Sequence, residues 1–271
     1  MYKLIVFDMD GTLLNSQKMI SNDSITAIKK AKSLNKQIVL GTGRAVAELR
    51  EYEEELDDIR YGILESGALI YDFKQKKVLN HKTLPSESVN KIKELVACSD
   101  IMVIAMINGQ IYLQQSHFDY IYKYKMEDYK ALYDRSAILV DDITSLLEKE
   151  KDNFEKINLY HHKSEEREES YLKLSHETVT MVKAESTGLE MTAIGVEKGS
   201  GLQFLCDYLN IPISESIAVG DADNDESMIR NAGLGIAMGN ANKNIENLAD
   251  FSVNDNDNGG CSQAIYKYLL S

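Results

Sequence analysis

Cysteine is scarce. Cys98, Cys206 and Cys261 are the only three in 271 residues, and they lie far apart. They match no zinc-binding spacing and no disulfide framework, so a reducing compartment fits and the cytoplasm is the expected location. Long apolar runs are missing too. None approaches the ~20 residues that span a bilayer. The first residues run straight into a strand-like segment rather than a signal peptide, so no membrane partner is expected. Basic residues are in deficit: 30 Lys and Arg against 43 Asp and Glu give a net charge of −13. A nucleic-acid partner usually needs a basic face, so none is expected. An acidic total leaves an anionic small substrate open, because a metal ion and a few lysines reverse the field locally. Internal repeats and low-complexity linkers are also absent. What the chain does have is 44% hydrophobic residues, enough for a real core in one large domain or two medium ones.

The apolar residues come in a telling order. Leu4-Ile5-Val6-Phe7 is short, continuous and apolar, as a strand buried on both faces should be. Ser21 can cap a helix through about Leu34. Ile38-Val39-Leu40 forms a second such run, and 45–56 reads as the next helix. This β-α-β-α opening predicts a parallel sheet with covering helices. Beyond Leu84 the rhythm changes. Pro85 can start a helix to about Cys98, and 101–107 and 110–114 form a hairpin around Asn108-Gly109. Helices near 117–126, 142–152 and 163–175 and strands near 156–161 and 178–184 follow. Glu165 to Glu169 reads as a solvated helix face. From Gly199 the first rhythm resumes, with Ile217-Ala218-Val219 as a third short strand. The prediction is a Rossmann-like α/β core, residues 1–83 and 190–271, interrupted by an inserted α+β domain, residues 84–189.

Three of the predicted parallel strands end in polar residues. Phe7 leads into Asp8-Met9-Asp10-Gly11-Thr12, Leu40 into Gly41-Thr42-Gly43-Arg44, and Val219 into Gly220-Asp221-Ala222-Asp223-Asn224-Asp225. Ligands in open α/β sheets bind at the carboxyl ends of the strands, so the fold class alone gathers these segments. Two acids at a buried strand end repel and raise each other's pKa unless a cation or a reaction uses both. Several carboxylates, a hydroxyl and glycine-rich backbone suit a divalent cation plus a phosphate. Mg²⁺ is the natural choice, with Asp8 and Asp221 as side-chain ligands. An extended Asp8-Met9-Asp10 stretch puts both acids on one side.

These segments resemble the motifs of the haloacid dehalogenase superfamily phosphatases. Asp8-Met9-Asp10-Gly11-Thr12-Leu13-Leu14 is similar to the first motif, Gly41-Thr42-Gly43-Arg44 to the second, Lys198-Gly199 to the third and Gly220 to Asp225 to the fourth. Order and spacing agree along nearly the whole chain, and the insertion is similar to the large α/β cap of the Cof-like sugar-phosphatase branch. The resemblance implies a catalytic core with a cap that confers substrate selectivity. It also implies roles. Asp8 is the nucleophile and forms an aspartyl-phosphate, and Asp10 is the general acid and base. Mg²⁺ is held by Asp8, Asp221 and the carbonyl of Asp10. The amides of Met9 and Gly43, with Thr42 and Lys198, bind phosphate, Asn224 contacts the phosphate or orients Lys198, and Asp225 supports the metal shell. Two departures stand out: Gly41 replaces a frequent Ala, and Ser66-Gly67-Ala68 replaces Asn-Gly-Ala.

Other features read as ordinary structure. Gly233 to Gly239 lacks the GxGxxG spacing and Gly195 to Gly201 is no P-loop. His161-His162 has no partner at ligand spacing, and Asp223 reads as a solvated loop acid. Tyr120, Tyr122, Tyr124, Tyr129 and Tyr133 read first as packing residues. Arg44, better explained by an ion pair, and Glu190 are further candidates for touching substrate. The expected function is Mg²⁺-dependent hydrolysis of small phosphorylated metabolites, with sugar phosphates as the leading class. Phosphomutase-type transfer and a non-enzymatic phospho-acceptor signalling module remain alternatives.

Overall fold

The computed structural model describes all residues, Met1–Ser271. The chain opens with β1 (Leu4–Phe7), α1 (Asn22–Ser33), β2 (Gln37–Gly41), β3 (Tyr61–Leu64), β4 (Leu69–Asp72) and β5 (Lys77–His81). The middle runs α2 (Ser86–Ala97), β6 (Met102–Ile107), β7 (Gln110–Gln114), α3 (Gln115–Asp119), α4 (Lys130–Ser136), β8 (Ala137–Val140), α5 (Ile143–Lys149), β9 (Lys156–Tyr160), α6 (Ser164–Leu174), β10 (Val179–Ala184) and β11 (Gly188–Ala193). It closes with α7 (Lys198–Tyr208), β12 (Ser216–Gly220), α8 (Glu226–Asn231), β13 (Leu234–Ala237), α9 (Lys243–Leu248), β14 (Phe251–Ser252) and α10 (Gly260–Ala264). No helix is long and apolar enough to cross a membrane.

The chain divides into two compact units. The first is Met1–Gly43, Tyr52–Asn80 and Glu197–Ser271; the second is Arg44–Glu51 and His81–Val196. The boundaries expected at 83/84 and 189/190 therefore move. β11 belongs whole to the second unit, because it pairs with β10 and β9 there. Residues 44–51 join that unit as well: the Ala47 amide donates to the Gly109 carbonyl at 2.9 Å.

In the first unit an eight-stranded sheet runs β14-β13-β12-β1-β2-β3-β4-β5. β1 pairs in parallel with both β12 and β2, Phe7 facing Val219 on one side and Leu40 on the other. All four β1 residues are fully buried, as the continuous apolar run requires, and burial of each large side chain contributes about 1.5–3 kcal/mol. On one face Val6, Val39 and Ala218 pack against Leu202 and Leu205 of α7 and Met228 and Ile229 of α8. Ser21 caps α1 as expected, its hydroxyl accepting from the Ser24 amide at 3.2 Å. The helix expected at 45–56 is instead a 3-10 helix, Val46–Tyr52, followed by turns.

In the second unit the sheet order is β10-β11-β9-β6-β7-β8, antiparallel except for β7 with β8. Alternation sorts its residues. Val103, Ala105, Ile157, Leu159, Leu189 and Met191 face a core shared with Val89 and Ile92 of α2 and Leu147 of α5. Met102, Ile104, Met106 and Tyr160 face the opposite way, onto Phe118, Tyr124 and Tyr133. The tyrosine-rich stretch forms short helices rather than one long one. Tyr124 is buried and donates to Asp100 at 2.6 Å; Tyr129 and Tyr133 stack with centroids 6.1 Å apart; Tyr120 and Tyr122 are exposed. His161 is a satisfied core residue, bonded to the Thr187 carbonyl and the Ser170 hydroxyl.

Candidate active site

Parallel pairing sets the site's origin. Because β2, β1 and β12 lie side by side in register, Thr42, Asp8 and Asp221 leave the sheet at the same edge. The Asp8 amide still bonds to the Val219 carbonyl at 3.0 Å, so the nucleophile candidate stands on the last rung of the ladder. The chain then turns sharply: the Leu13 amide donates to the Asp8 carbonyl and the Leu14 amide to that of Met9. Gly11 makes the turn possible. Its φ is +82°, and a Cβ there would sit 2.4 Å from Asp221 Oδ2. At the end of β2, a Cβ on Gly41 would lie 2.8 Å from Val6 Cγ2, so glycine in place of the family's frequent alanine matches the bulk of Val6.

Lys198 is the hub. It is the first residue of α7, its side chain is fully buried, and its Nζ donates to Asp8 Oδ1 and Asp225 Oδ1, both at 2.6 Å. A cation at a helix N-terminus opposes the helix dipole, and the two carboxylates offset that cost. The second oxygen of Asp225 accepts from the amides of Asp221 and Ala222 at 2.9 and 3.1 Å. Both oxygens of Asp225 are thereby engaged; it holds the β12–α8 loop in shape and anchors the lysine. Carboxylate oxygens of Asp8, Asp221 and Asp225 lie within 4.8 Å of one another.

The electrostatics follow from burial. Burial pushes the Asp8 carboxyl well up, and the charges of Asp225 and Asp221 push it further than Lys198 can pull it back. Asp221 is pushed up to about 6, first by burial; the Thr12 hydroxyl, donating at 2.8 Å, pulls the other way. Burial alone would lower the Lys198 ammonium, but Asp225 and Asp8 overcome it and hold it charged. One lysine thus faces three acids. The all-oxygen donor set and the raised Asp8 and Asp221 fit a hard divalent cation, which would offset the remaining repulsion. The buried Asn224 Oδ1, which has no hydrogen-bond partner, adds a polar atom beside the same loop.

The other expected residues are distributed as follows. Asp10 is partly exposed and pairs with Lys18 at 2.9 Å. Met9 and Thr42 are buried, and the Thr42 amide donates to the Ile63 carbonyl at 2.8 Å. Arg44 and Glu190 belong to the second unit. Arg44 lies 3.9 Å from Glu51, and Glu190 sits mid-strand in β11, paired with Lys156 at 2.6 Å. Asp223 is more than a solvated acid: it accepts from the side-chain amides of Asn242 and Asn244, both at 3.0 Å. Sequence reasoning assigned no role to Thr12, Lys18 or Asn240. Asn240 donates to the Gly11 carbonyl at 2.8 Å and braces the turn after Asp8, a contact across 229 positions with no local signal.

A family model described as haloacid dehalogenase-like hydrolase matches residues 5–265. The chain belongs to this family. Phosphatase YwpJ of Bacillus subtilis is 27% identical over 287 residues, covering 99% of this chain and 100% of the relative. The 5-amino-6-(5-phospho-D-ribitylamino)uracil phosphatase YcsE of the same organism is 27% identical over 269 residues, covering 99% of this chain and 96% of the relative. A solved haloacid dehalogenase-like hydrolase from B. subtilis superimposes with a TM-score of 0.87 at 28% identity, covering 99% of this chain and 100% of that one. These matches agree with the α/β fold described above, and the two curated relatives carry phosphatase names.

Proposed function

We propose that this member of the haloacid dehalogenase-like family is a Mg²⁺-dependent phosphatase of small phosphorylated metabolites, working through an aspartyl-phosphate on Asp8. The observation that carries the reading is the arrangement around Lys198: a buried ammonium fixing the Asp8 carboxylate at the end of β1, with Asp221 beside it. Asp8 and Asp221 are the side chains that would hold the metal, with the Asp10 carbonyl; Asp225, engaged by Lys198 and two backbone amides, supports the loop. When bound, the cation supplies positive charge against the phosphoryl oxygens.

The chain's own residues account for the rest. Lys198 fixes one Asp8 oxygen, so the carboxylate is oriented before substrate arrives. Asp8 attacks phosphorus, the bond to the substrate oxygen breaks, and Asp10 gives that oxygen its proton. Asp10 then takes a proton from water as the water attacks phosphorus and frees Asp8. Thr42, the amides of Met9 and Gly43, Asn224 and Lys198 are the donors assigned to the phosphoryl group, where charge develops. The second unit is assigned the role of a cap that confers selectivity.

Sugar phosphates lead the substrate panel. The name of one relative specifies a phosphate ester on a ribityl chain, which is a polyhydroxylated alcohol, so alditol phosphates join them. The test is phosphate release over sugar phosphates, alditol phosphates, nucleotides and phosphoglycolate, with Mg²⁺ and with EDTA. Release that needs Mg²⁺ supports the reading; release undiminished by EDTA and restored by no metal overturns it.

A further inference from the structure

The first unit carries a polar loop that the catalytic residues do not account for. β13 and β14 extend the parallel sheet beyond β12, so the loops after them emerge at the same edge as Asp8. The second of these loops reads Asn254-Asp255-Asn256-Asp257-Asn258, five short polar side chains of the kind that bond to nearby backbone. Two of them fold the loop. Asp255 accepts from the Asp257 amide at 3.1 Å and from Asn258 Nδ2 at 2.7 and 2.9 Å, and Asn254 Nδ2 donates to the Asn258 carbonyl at 3.0 Å.

Asn256 and Asp257 are spent elsewhere, on the turn that follows Asp8. Asn256 Nδ2 donates to the Leu14 carbonyl at 2.9 Å, across 242 positions. Asp257 Oδ1 accepts from the Ser16 amide at 2.8 Å and from the Ser16 hydroxyl at 2.9 Å. The Asn256 amide also donates to Asn240 Oδ1 at 3.1 Å, which orients Asn240 toward the Gly11 carbonyl. One platform thus holds Gly11, Leu14 and Ser16. The tip of the turn, Ser16 to Met19, is exposed, and exposed segments with few buried contacts open at little cost. Tyr52 donates to the Lys18 carbonyl at 3.1 Å, and Asp257 holds Ser16. The tip matters because it carries Lys18, whose Nζ donates to Asp10 Oδ1 at 2.9 Å. The place of the Asp10 carboxyl is therefore set by a turn that Asn256 and Asp257 tie down.

We propose that Asn256 and Asp257 are positioning residues for Asp10, acting on proton delivery to the leaving oxygen. The inference rests on the phosphatase reading and deepens it. As Asp8 bonds to phosphorus, the ester P–O bond breaks, its electron pair stays on the leaving oxygen, and the Asp10 proton goes to that oxygen. A displacement of about 1 Å in such a group costs about a hundredfold in rate. The cost depends on the leaving group. Phenolate needs the proton; p-nitrophenolate, stabilised by its nitro group, leaves without it.

The test compares wild type, Asn256→Ala, Asp257→Ala and Asp257→Asn on phenyl phosphate and p-nitrophenyl phosphate, two esters of nearly the same shape. A positioned general acid contributes about a hundredfold or more, so each alanine variant should lower kcat/KM on phenyl phosphate by about tenfold or more and on p-nitrophenyl phosphate by less than about twofold. Asp257→Asn keeps an acceptor for Ser16 and should stay within about twofold of wild type on both. Melting curves read by circular dichroism check that all three variants are folded at the assay temperature. Equal losses on the two esters, no loss on either, or an Asp257→Asn as impaired as Asp257→Ala overturns the proposal while the phosphatase reading stands. A wild type that releases phosphate from neither ester overturns that reading, and the proposal with it.

Discussion

At the scale of single residues, Lys198 decides more than any other. Its charge is buried between two carboxylates, and removing one partner of such a set leaves uncompensated charge behind. Lys198→Met should therefore cost roughly 3 kcal/mol in urea unfolding and also abolish phosphate release. Loss of activity with unchanged stability would contradict the buried network. A quieter residue is Ser66, which adopts φ +59° and ψ +27°, a left-handed conformation that asparagine tolerates better than serine. The family's usual Asn at this place now has a backbone reason as well as any substrate contact. Ser66→Asn should stabilise by about 0.5 kcal/mol, read as a higher melting temperature. The acids at the strand ends stood out in the sequence because charge beside a buried apolar run is conspicuous; Lys198, at the start of α7, stood out only through its resemblance to a family motif. The left-handed Ser66 and the brace from Asn240 did not, because neither backbone sign nor a contact across the chain leaves a local mark.

At the scale of elements, legibility followed burial. β1, β2 and β12 were plain because strands buried on both faces are continuous apolar runs. β11 was missed: Gly188-Leu-Glu-Met-Thr-Ala has modest strand preference, and pairing on both sides makes it a strand. β8 was missed as the edge of its sheet, with Ile138 and Leu139 exposed. The end of β4 offers a test of local electrostatics. Asp72 is buried and accepts twice from Arg60, at 2.9 and 3.0 Å, and once from the Gln75 amide. Burial alone would raise its carboxyl; these bonds overcome burial and hold it below the ordinary 3.8. A carboxyl lowered by folding stabilises at neutral pH, and that contribution is lost as pH falls through its folded value. Asp72→Asn should cost about 1–2 kcal/mol at pH 7, and the gap to wild type should shrink as pH is lowered past 3.8. A gap that stays constant with pH would contradict the assignment.

At the scale of the whole molecule, the order of the motifs was readable because a parallel sheet forces strand ends together whatever lies between them. The edges of the insertion were not readable. Residues 44–51 and 190–196 join the second unit through pairings with 109 and with β9 and β10, which no local pattern announces. The central claim is chemical: Asp8 carries the phosphoryl group during turnover. The most direct measurement is the mass of the Asp8 peptide after acid quench of the enzyme turning over p-nitrophenyl phosphate with Mg²⁺. One added phosphoryl group is expected on wild type, lost again on a chase without substrate, and absent from Asp8→Asn, whose phosphate release should fall by more than about a thousandfold. Turnover with an unmodified Asp8 peptide, together with normal phosphate release by Asp8→Asn, would contradict the account.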